Sequence, residues 1–370
     1  MHNIKRINIC EKDDIMKGLI LSGGHGTRLR PLTHTGPKQL IPIANKPVLF
    51  YAIEDLAEAG VNEIGIILGT NMPEMVQEAV GDGSKFGVKI TYIDQGEPKG
   101  LAHAVAVAKD FVGEDSFIMY LGDNILKSGV EEFVEGFEES DYHARILLQK
   151  VDNPKQFGVA ELNDQGDVVH LVEKPPEPKS NLALVGIYLF KSSIFNAIDN
   201  IKPSWRGELE ITDAIQELLN TKQKVDSHIV KGWWKDTGKP EDVLDANHLI
   251  LDVLQSHCGG QVEEGAKISG RVSIGKGTVI KKGSHIKGPV IIGEDCVIDT
   301  YIGPYTSIGD NTRIIGGEIE SSIVVGDTLI ECNERIVESL IGNHSQIRSM
   351  DNLLPHGRRF VIGENSMVRL

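Results

Sequence analysis

Little in this sequence is basic, cysteine-rich or continuously apolar, and each shortage removes a class of function. Its 38 lysines and arginines stand against 53 aspartates and glutamates, a formal net charge of −15. Nucleic acids are gripped by basic surface that neutralises phosphate, so the charge argues against a nucleic-acid partner and none is expected. A small anionic substrate must then be held by local cations and not by a global field. The four cysteines, Cys10, Cys258, Cys296 and Cys332, have neither CxxC nor metal-ligand spacing. That suggests neither a disulfide framework nor a zinc site, and fits a reducing cytoplasm. No run of about eighteen apolar residues occurs, so no membrane association is expected. The opening MHNIKRINICEKDDI lacks the apolar centre of a secretory signal. Residues 1–15 are read as an extension outside the core, which begins where Met16 opens directly into a strand.

What is present divides into two halves with different periods. At 370 residues the chain exceeds one ordinary domain, and either half can bury a real core. From Lys17 to Val253, short apolar runs alternate with amphipathic stretches. KGLILS, EIGIILG, VKITYID, SFIMYLGD and ARILLQKV read as buried strands; VLFYAIEDLAEAG, PEMVQEAVG, LAHAVAVAKDFV and VEEFVEGFEES read as helices between them. The pattern predicts a Rossmann-like α/β domain over 16–254 with a mainly parallel central sheet, whose ligands gather where strands end. FGVAELNDQGDVVHLVEKP and LALVGIYLF break the alternation and read as an inserted group of strands covering the site. Helices resume at ELEITDAIQELLNTK and EDVLDANHLILDVL.

After QSHCGG the period becomes six. Ile268, Ile274, Ile280, Ile286, Ile292 and Ile298 keep it; Ile302, Ile308 and Ile314 resume it after a slip, and it weakens through Val324, Ile330, Ile336, Ile341, Ile347, Ile362 and Val368. Neither a helix nor a flat sheet gives a strict six punctuated by Gly275, Gly293, Gly303 and Gly309. The pattern predicts a parallel β-helix over 255–370, each isoleucine pointing into a prism and successive coils stacking.

The densest chemistry lies in LILSGGHGTRLRPLTHTGPKQLIP, residues 19–42. It matches neither the dinucleotide fingerprint, since Leu29 stands where a third glycine belongs, nor a Walker-type loop, since no GK[ST] follows. A strand ending in small residues can still turn sharply and aim consecutive N–H groups at an anion. Gly23, Gly24 and Gly26 can do this, Thr27 can add a hydroxyl, Arg28 a planar fork and Lys38 a compact point charge. Together they suit a triphosphate; the glycines alone would equally make an ordinary turn.

The whole stretch from Gly23 to Leu40 resembles the sugar nucleotidyltransferase signature GGxGTRLxPxTxxxPKxL. GDGSKFGVKITYIDQGEPKGLAHA, YLGDN, FGVAEL, EKP, LVGIYLF, SWRGELEITDAI and WWKDTGKPEDVLDAN are similar, in order, to the glucose-1-phosphate thymidylyltransferase branch, and the appended repeats resemble its long form. The resemblance implies a left-handed β-helix and transfer of the thymidylyl group of dTTP to glucose 1-phosphate, giving dTDP-glucose and pyrophosphate with Mg²⁺ and no covalent intermediate. It implies that Arg28 and Lys38 hold the triphosphate and stabilise the transition state. Asp123 and Asp236 would hold Mg²⁺, which needs few carboxylates. Lys174 would grip the sugar phosphate, and Glu173 with the backbone at Gly158 and Val185 the sugar hydroxyls. Gln95 and Gly100 would read the base, with Gln39 near the nucleoside. His25 departs mildly from the signature, and Trp233–Trp234 read as packing beside the metal aspartate.

Two alternatives stay open: another nucleotide-sugar pyrophosphorylase, using UTP or an N-acetylhexosamine phosphate, and a second, acetyl-transferring activity in the β-helix with His285 or His344 as base. The plainer reading of the β-helix is stability and assembly of a cytoplasmic homo-oligomer.

Overall fold

The computed structural model describes residues 16–349 together with 367 and 368. The N-terminal extension and the repeat position at Ile362 lie outside the described residues. Contacts divide the chain into two compact units, one built on Ala52–Trp234 with the chain up to Gly24, the other on His25–Tyr51 with the chain from Lys235 onward.

The first unit is organised by one sheet. Its strands are β1 (Met16–Ser22), β2 (Glu63–Leu68), β3 (Lys89–Asp94), β4 (Ser116–Leu121), β5 (Tyr142–Lys150), β6 (Gly158–Leu162), β7 (Val168–Glu173), β8 (Leu182–Phe190) and β9 (Lys224–Ile229). They run in the order β7-β6-β8-β4-β1-β2-β3, with β5 on β8 and β9 on β5. The parallel part predicted from the alternation is β3-β2-β1-β4, where Gly18 to Ser22 lie opposite Ile64 to Leu68 and Met16 to Leu21 opposite Ser116 to Leu121. Leu19 and Ile20 of β1 are fully buried, as a central strand covered on both faces requires.

The strands expected to form a separate covering group instead continue this sheet. β8 pairs antiparallel with β4, with Ile187 opposite Tyr120 and Phe190 opposite Phe117, and β6 and β7 extend it outward. Every residue of β8 after Leu182 is buried, which only an interior strand allows. Two further elements carry weak sequence signals. β9 reads KVDSHI and has no apolar run; as an edge strand it needs one buried face only. The helix Ser193–Asn200 directly follows β8, and its buried Ile194, Phe195, Ala197 and Ile198 merge in sequence with that strand. Conversely, LAHAVAVAKDFV divides into Leu101–Ala106 and Lys109–Val112, and VEEFVEGFEES keeps one helical turn, Glu131–Val134.

In the second unit the six-residue period becomes stacked parallel strands. One ladder runs His257–Cys258, Val272–Ile274, Val290–Ile292, Thr306–Ile308, Ile323–Val324 and Leu340–Ile341, and another begins Gln261–Val262, Val279–Ile280 and Val297–Ile302. Stacking is in register: Ile274 lies opposite Ile292, and Ile292 opposite Ile308. The repeat isoleucines from Ile274 to Ile314 are buried. Ile268 departs from the expectation, being 40% exposed. It belongs to the first coil, where Lys267–Ser269 pairs upward with His285–Lys287 and, among the described residues, no further strand stacks beneath it. The slip falls inside Val297–Ile302, one continuous strand that carries both Ile298 and Ile302 inward.

Candidate functional site

In the second unit, the signature loop folds as three short 3-10 turns, Thr27–Leu29, Leu32–His34 and Lys38–Leu40. Gly26 opens the first with φ +65°, and a Cβ there would stand 2.9 Å from Thr33 Cγ2 and 3.1 Å from Lys38 Cβ. This is a glycine both by conformation and by room. Thr33 Oγ1 donates to Gly26 O at 2.8 Å, tying the turn to the next. Thr27 and Arg28 are exposed and Lys38 half-buried, while Leu29 anchors the turn in the core.

The same unit brings Arg28 to the end of the distant WKDTG motif. A Cβ on Gly238 would lie 2.5 Å from Arg28 Nη2 and 3.1 Å from Asp236 Oδ1. The guanidinium thus rests on a bare glycine, with a carboxylate beside it. Gln39 is 1% exposed, and its Oε1 has no hydrogen-bond partner among the described residues. A buried amide oxygen left in that state costs about 1–3 kcal/mol, a deficit that a donor from a ligand would relieve.

In the first unit, Gly23 is buried at the end of β1, and a Cβ on it would collide with the side-chain oxygen of Gln95. Gln95 is itself buried, its N–H donating to Leu68 O at 2.9 Å. The strand ends of β1, β2 and β3 therefore meet at Gly23, Gly69 and Gln95. Gly24 is exposed beside them. Gly100, at φ +108°, has a structural reason of its own: a side chain there would strike the backbone of Leu209.

Asp123 follows β4 and is buried. Its Oδ1 accepts from Asn124 Nδ2 at 3.0 Å, and Asn124 Oδ1 accepts from Trp234 Nε1 at 2.5 Å. Trp234 also sets its ring edge on Phe157, with centroids 5.4 Å apart. Its indole N–H thus fixes the amide that holds Asp123. The carboxylates of Asp123 and Asp236 are hard oxygen donors of the kind Mg²⁺ takes, one of them held in place by a neighbouring amide.

Gly158 opens β6 opposite Glu173 at the end of β7, Lys174 follows Glu173, and Val185 lies within β8. A Cβ on Gly158 would meet Thr212 Cγ2 at 2.6 Å and Glu173 Oε2 at 3.0 Å, while Thr212 Oγ1 donates to Glu173 Oε2 at 3.2 Å. Glu173 is further paired with Lys174 at 3.6 Å and Arg206 at 3.7 Å. Lys174 holds φ +42°, its N–H donating to Phe157 O. Val185 is fully buried, backbone included. Arg206 continues to Glu208 at 3.0 Å and Glu210 at 3.1 Å, and burial raises the Glu210 carboxyl above its ordinary range. Asn124, Arg206, Thr212 and Gly238 escape the sequence reading because their roles appear only through partners remote in the chain.

Residues 17–253 match the family model described as Nucleotidyl transferase. The chain belongs to the nucleotidyl transferase family. It is 56% identical over 357 residues to the low-salt glycan biosynthesis nucleotidyltransferase Agl11 of Haloferax volcanii, covering 96% of this chain and 100% of that one. It is 49% identical to a glucose-1-phosphate thymidylyltransferase of Streptomyces antibioticus, covering 96% and 99%. A longer relative, the bifunctional protein GlmU of Methanocaldococcus jannaschii, is 39% identical over 332 residues, 89% of this chain and 78% of that protein. No described helix is long and apolar enough to cross a membrane. Two of the three relatives align from end to end, so the family assignment extends beyond the matched domain to the stacked repeats.

Proposed function

We propose that the chain transfers the thymidylyl group of dTTP to glucose 1-phosphate, releasing pyrophosphate. The observation that carries the reading is the seating of Arg28, in the first turn of the signature loop, on Gly238 beside Asp236, a cation and a carboxylate brought together from distant motifs. The Streptomyces antibioticus relative, named for this activity, supports the choice of substrates. Displacement at phosphorus depends on alignment and charge neutralisation more than on covalent chemistry. In this reading the N–H groups of Gly23, Gly24 and Gly26 and the Thr27 hydroxyl cradle the triphosphate. Arg28 and Lys38 neutralise its oxygens as the sugar phosphate attacks the α-phosphorus and the bond to pyrophosphate breaks. Lys174 grips the incoming phosphate, and Glu173 accepts hydroxyls of the sugar together with the backbone at Gly158 and Val185. Gln95 and Gly100 meet the base, and Gln39 the nucleoside. Asp123 and Asp236 would hold Mg²⁺, which when bound supplies charge stabilisation at the triphosphate. The proposed setting is the cytoplasm and the proposed assembly a homo-oligomer.

The test is pyrophosphate release from dTTP and glucose 1-phosphate, with the product identified as dTDP-glucose by mass. Release only with an N-acetylhexosamine phosphate would replace the sugar assignment. A second reading is favoured by the bifunctional relative: acetyl transfer in the β-helix, with His285, whose ring edge meets Tyr301 at 5.7 Å, or His344 as base. Free thiol released from acetyl-CoA in the presence of glucosamine 1-phosphate, and lost in His285→Ala or His344→Ala, would establish it.

A further inference from the structure

The segment that carries Lys38 and Gln39 leads directly into a tight hairpin, Pro42–Ile43 paired with Lys46–Pro47. Its two turn residues, Ala44 and Asn45, both have positive φ, +48° and +61°. A two-residue hairpin turn of this hand asks for glycine, asparagine or aspartate. Asn45 answers that need. Ala44 does not, and an L-residue with a Cβ is held there at a cost that persists only when its surroundings fix it.

The surroundings are a buried asparagine and the β-helix, all within one unit. Asn247, fully buried on the helix Pro240–Leu251, accepts from Ala44 N–H at 2.8 Å and from Ser307 Oγ at 2.6 Å, and donates to Tyr305 O at 3.1 Å. Asn45 Nδ2 donates to Ile308 O at 2.7 Å. Tyr305, Ser307 and Ile308 belong to one coil of the repeats. Leu32 of the signature loop reaches a later coil, where a Cβ on Gly342 would meet its Cδ2 at 3.1 Å. Hydrogen bonds carry this fixing back to the cation: Val48 N–H donates to Ile41 O at 3.2 Å, and Ile41 N–H to Lys38 O at 3.2 Å.

We infer that Asn247 is a positioning residue for nucleotidyl transfer, clamping the strained Ala44–Asn45 turn onto the β-helix and so setting where Lys38 and Gln39 stand. The repeats are then part of the apparatus that presents the nucleotide loop. This rests on the proposed role of Lys38 and Gln39 at the triphosphate and nucleoside, and goes beyond it in naming what holds them.

The experiment compares wild type, Asn247→Ala, Ala44→Gly and the double variant in the full chain. Asn247→Ala is expected to raise KM for the nucleoside triphosphate about tenfold and to lower kcat as Lys38 shifts, with KM for the sugar phosphate within about twofold. Ala44→Gly relieves the turn, because glycine adopts positive φ freely. Placed in the Asn247→Ala background, it is expected to restore nucleotide KM to within about twofold of wild type. Without any substrate, hydrogen exchange over Lys38–Val48 should quicken in Asn247→Ala and slow again in the double variant. A lowered Tm with unchanged nucleotide KM and unchanged exchange over Lys38–Val48 would make Asn247 a packing residue and overturn the inference. So would a double variant no better than Asn247→Ala. If the wild-type chain does not use dTTP, the substrate reading fails by itself, and the exchange comparison still decides the role of Asn247.

Discussion

Gly238→Ala adds one methyl group where Arg28 rests. The new Cβ would lie 2.5 Å from Arg28 Nη2 and 3.1 Å from Asp236 Oδ1, whereas an ordinary contact of this kind is 3.4 Å or more. The guanidinium must therefore retreat by roughly 1 Å, and misplacement of a catalytic group by that distance costs on the order of a hundredfold in rate. The same figure follows from the interaction: a charge-assisted hydrogen bond contributes about 1.5–3 kcal/mol, or roughly 10–150-fold. Gly238 carries no positive φ, so alanine fits its backbone, and the displaced atoms are the far end of an exposed side chain. Stability should barely change. Steady-state pyrophosphate release is expected to show kcat/KM reduced by about one to two orders of magnitude at unaltered Tm. Arg28→Ala should lose at least as much, and in that background Gly238→Ala should cost little more, because the group it displaces is gone. Wild-type kcat/KM in Gly238→Ala, or full additivity with Arg28→Ala, would refute the argument.

Asp123→Asn and Asp236→Asn should each lower kcat by two or more orders of magnitude, as loss of a charge-stabilising metal ligand does, with circular dichroism unchanged. Near-normal turnover at saturating Mg²⁺ would remove that residue from the site. Ile292→Ala opens a cavity between Ile274 and Ile308 and should cost about 2–5 kcal/mol in denaturant unfolding of the β-helix, with wild-type Tm as the contrary result. Glu210, its carboxyl pushed up first by burial, binds a proton more tightly folded than unfolded. Stability should thus fall as pH rises from the ordinary carboxylate value through the raised one. Glu210→Gln should flatten Tm across that window, and an unchanged slope would assign the pH dependence elsewhere.

Much of the fold is legible because single-residue periods report it directly. The six-residue spacing of isoleucines announces stacked coils, and runs such as KGLILS and EIGIILG announce strands buried on both faces. What sequence does not carry is the order in which strands meet. LALVGIYLF has the same all-apolar character in an insert as in the middle of a sheet, and only pairing with Ser116–Leu121 distinguishes them. The short motifs GTRL, YLGDN, EKP and WKDTG name their own residues. Residues that serve through a partner stay silent: Asn124 matters through Trp234, Thr212 through Glu173, and Asn247 through Ala44 and Ser307. Ile268 misleads because the repeat continues to the end of the stack while burial requires a coil on each side.

Thymidylyl transfer stands or falls on base choice. A glutamine amide can donate to and accept from the N3–O4 edge of a pyrimidine, which thymine and uracil share and cytosine presents with opposite polarity. Discrimination against UTP then rests on the methyl group and on the ribose hydroxyl, and one methyl contributes about 1–3 kcal/mol, a factor of about 10–200. The measurement is kcat/KM for dTTP, UTP, CTP and GTP with glucose 1-phosphate, in wild type and Gln95→Ala. The expected order is dTTP first, UTP measurably used, CTP and GTP poor, with both pyrimidine activities reduced by Gln95→Ala; CTP or GTP in first place would contradict thymidylyl transfer.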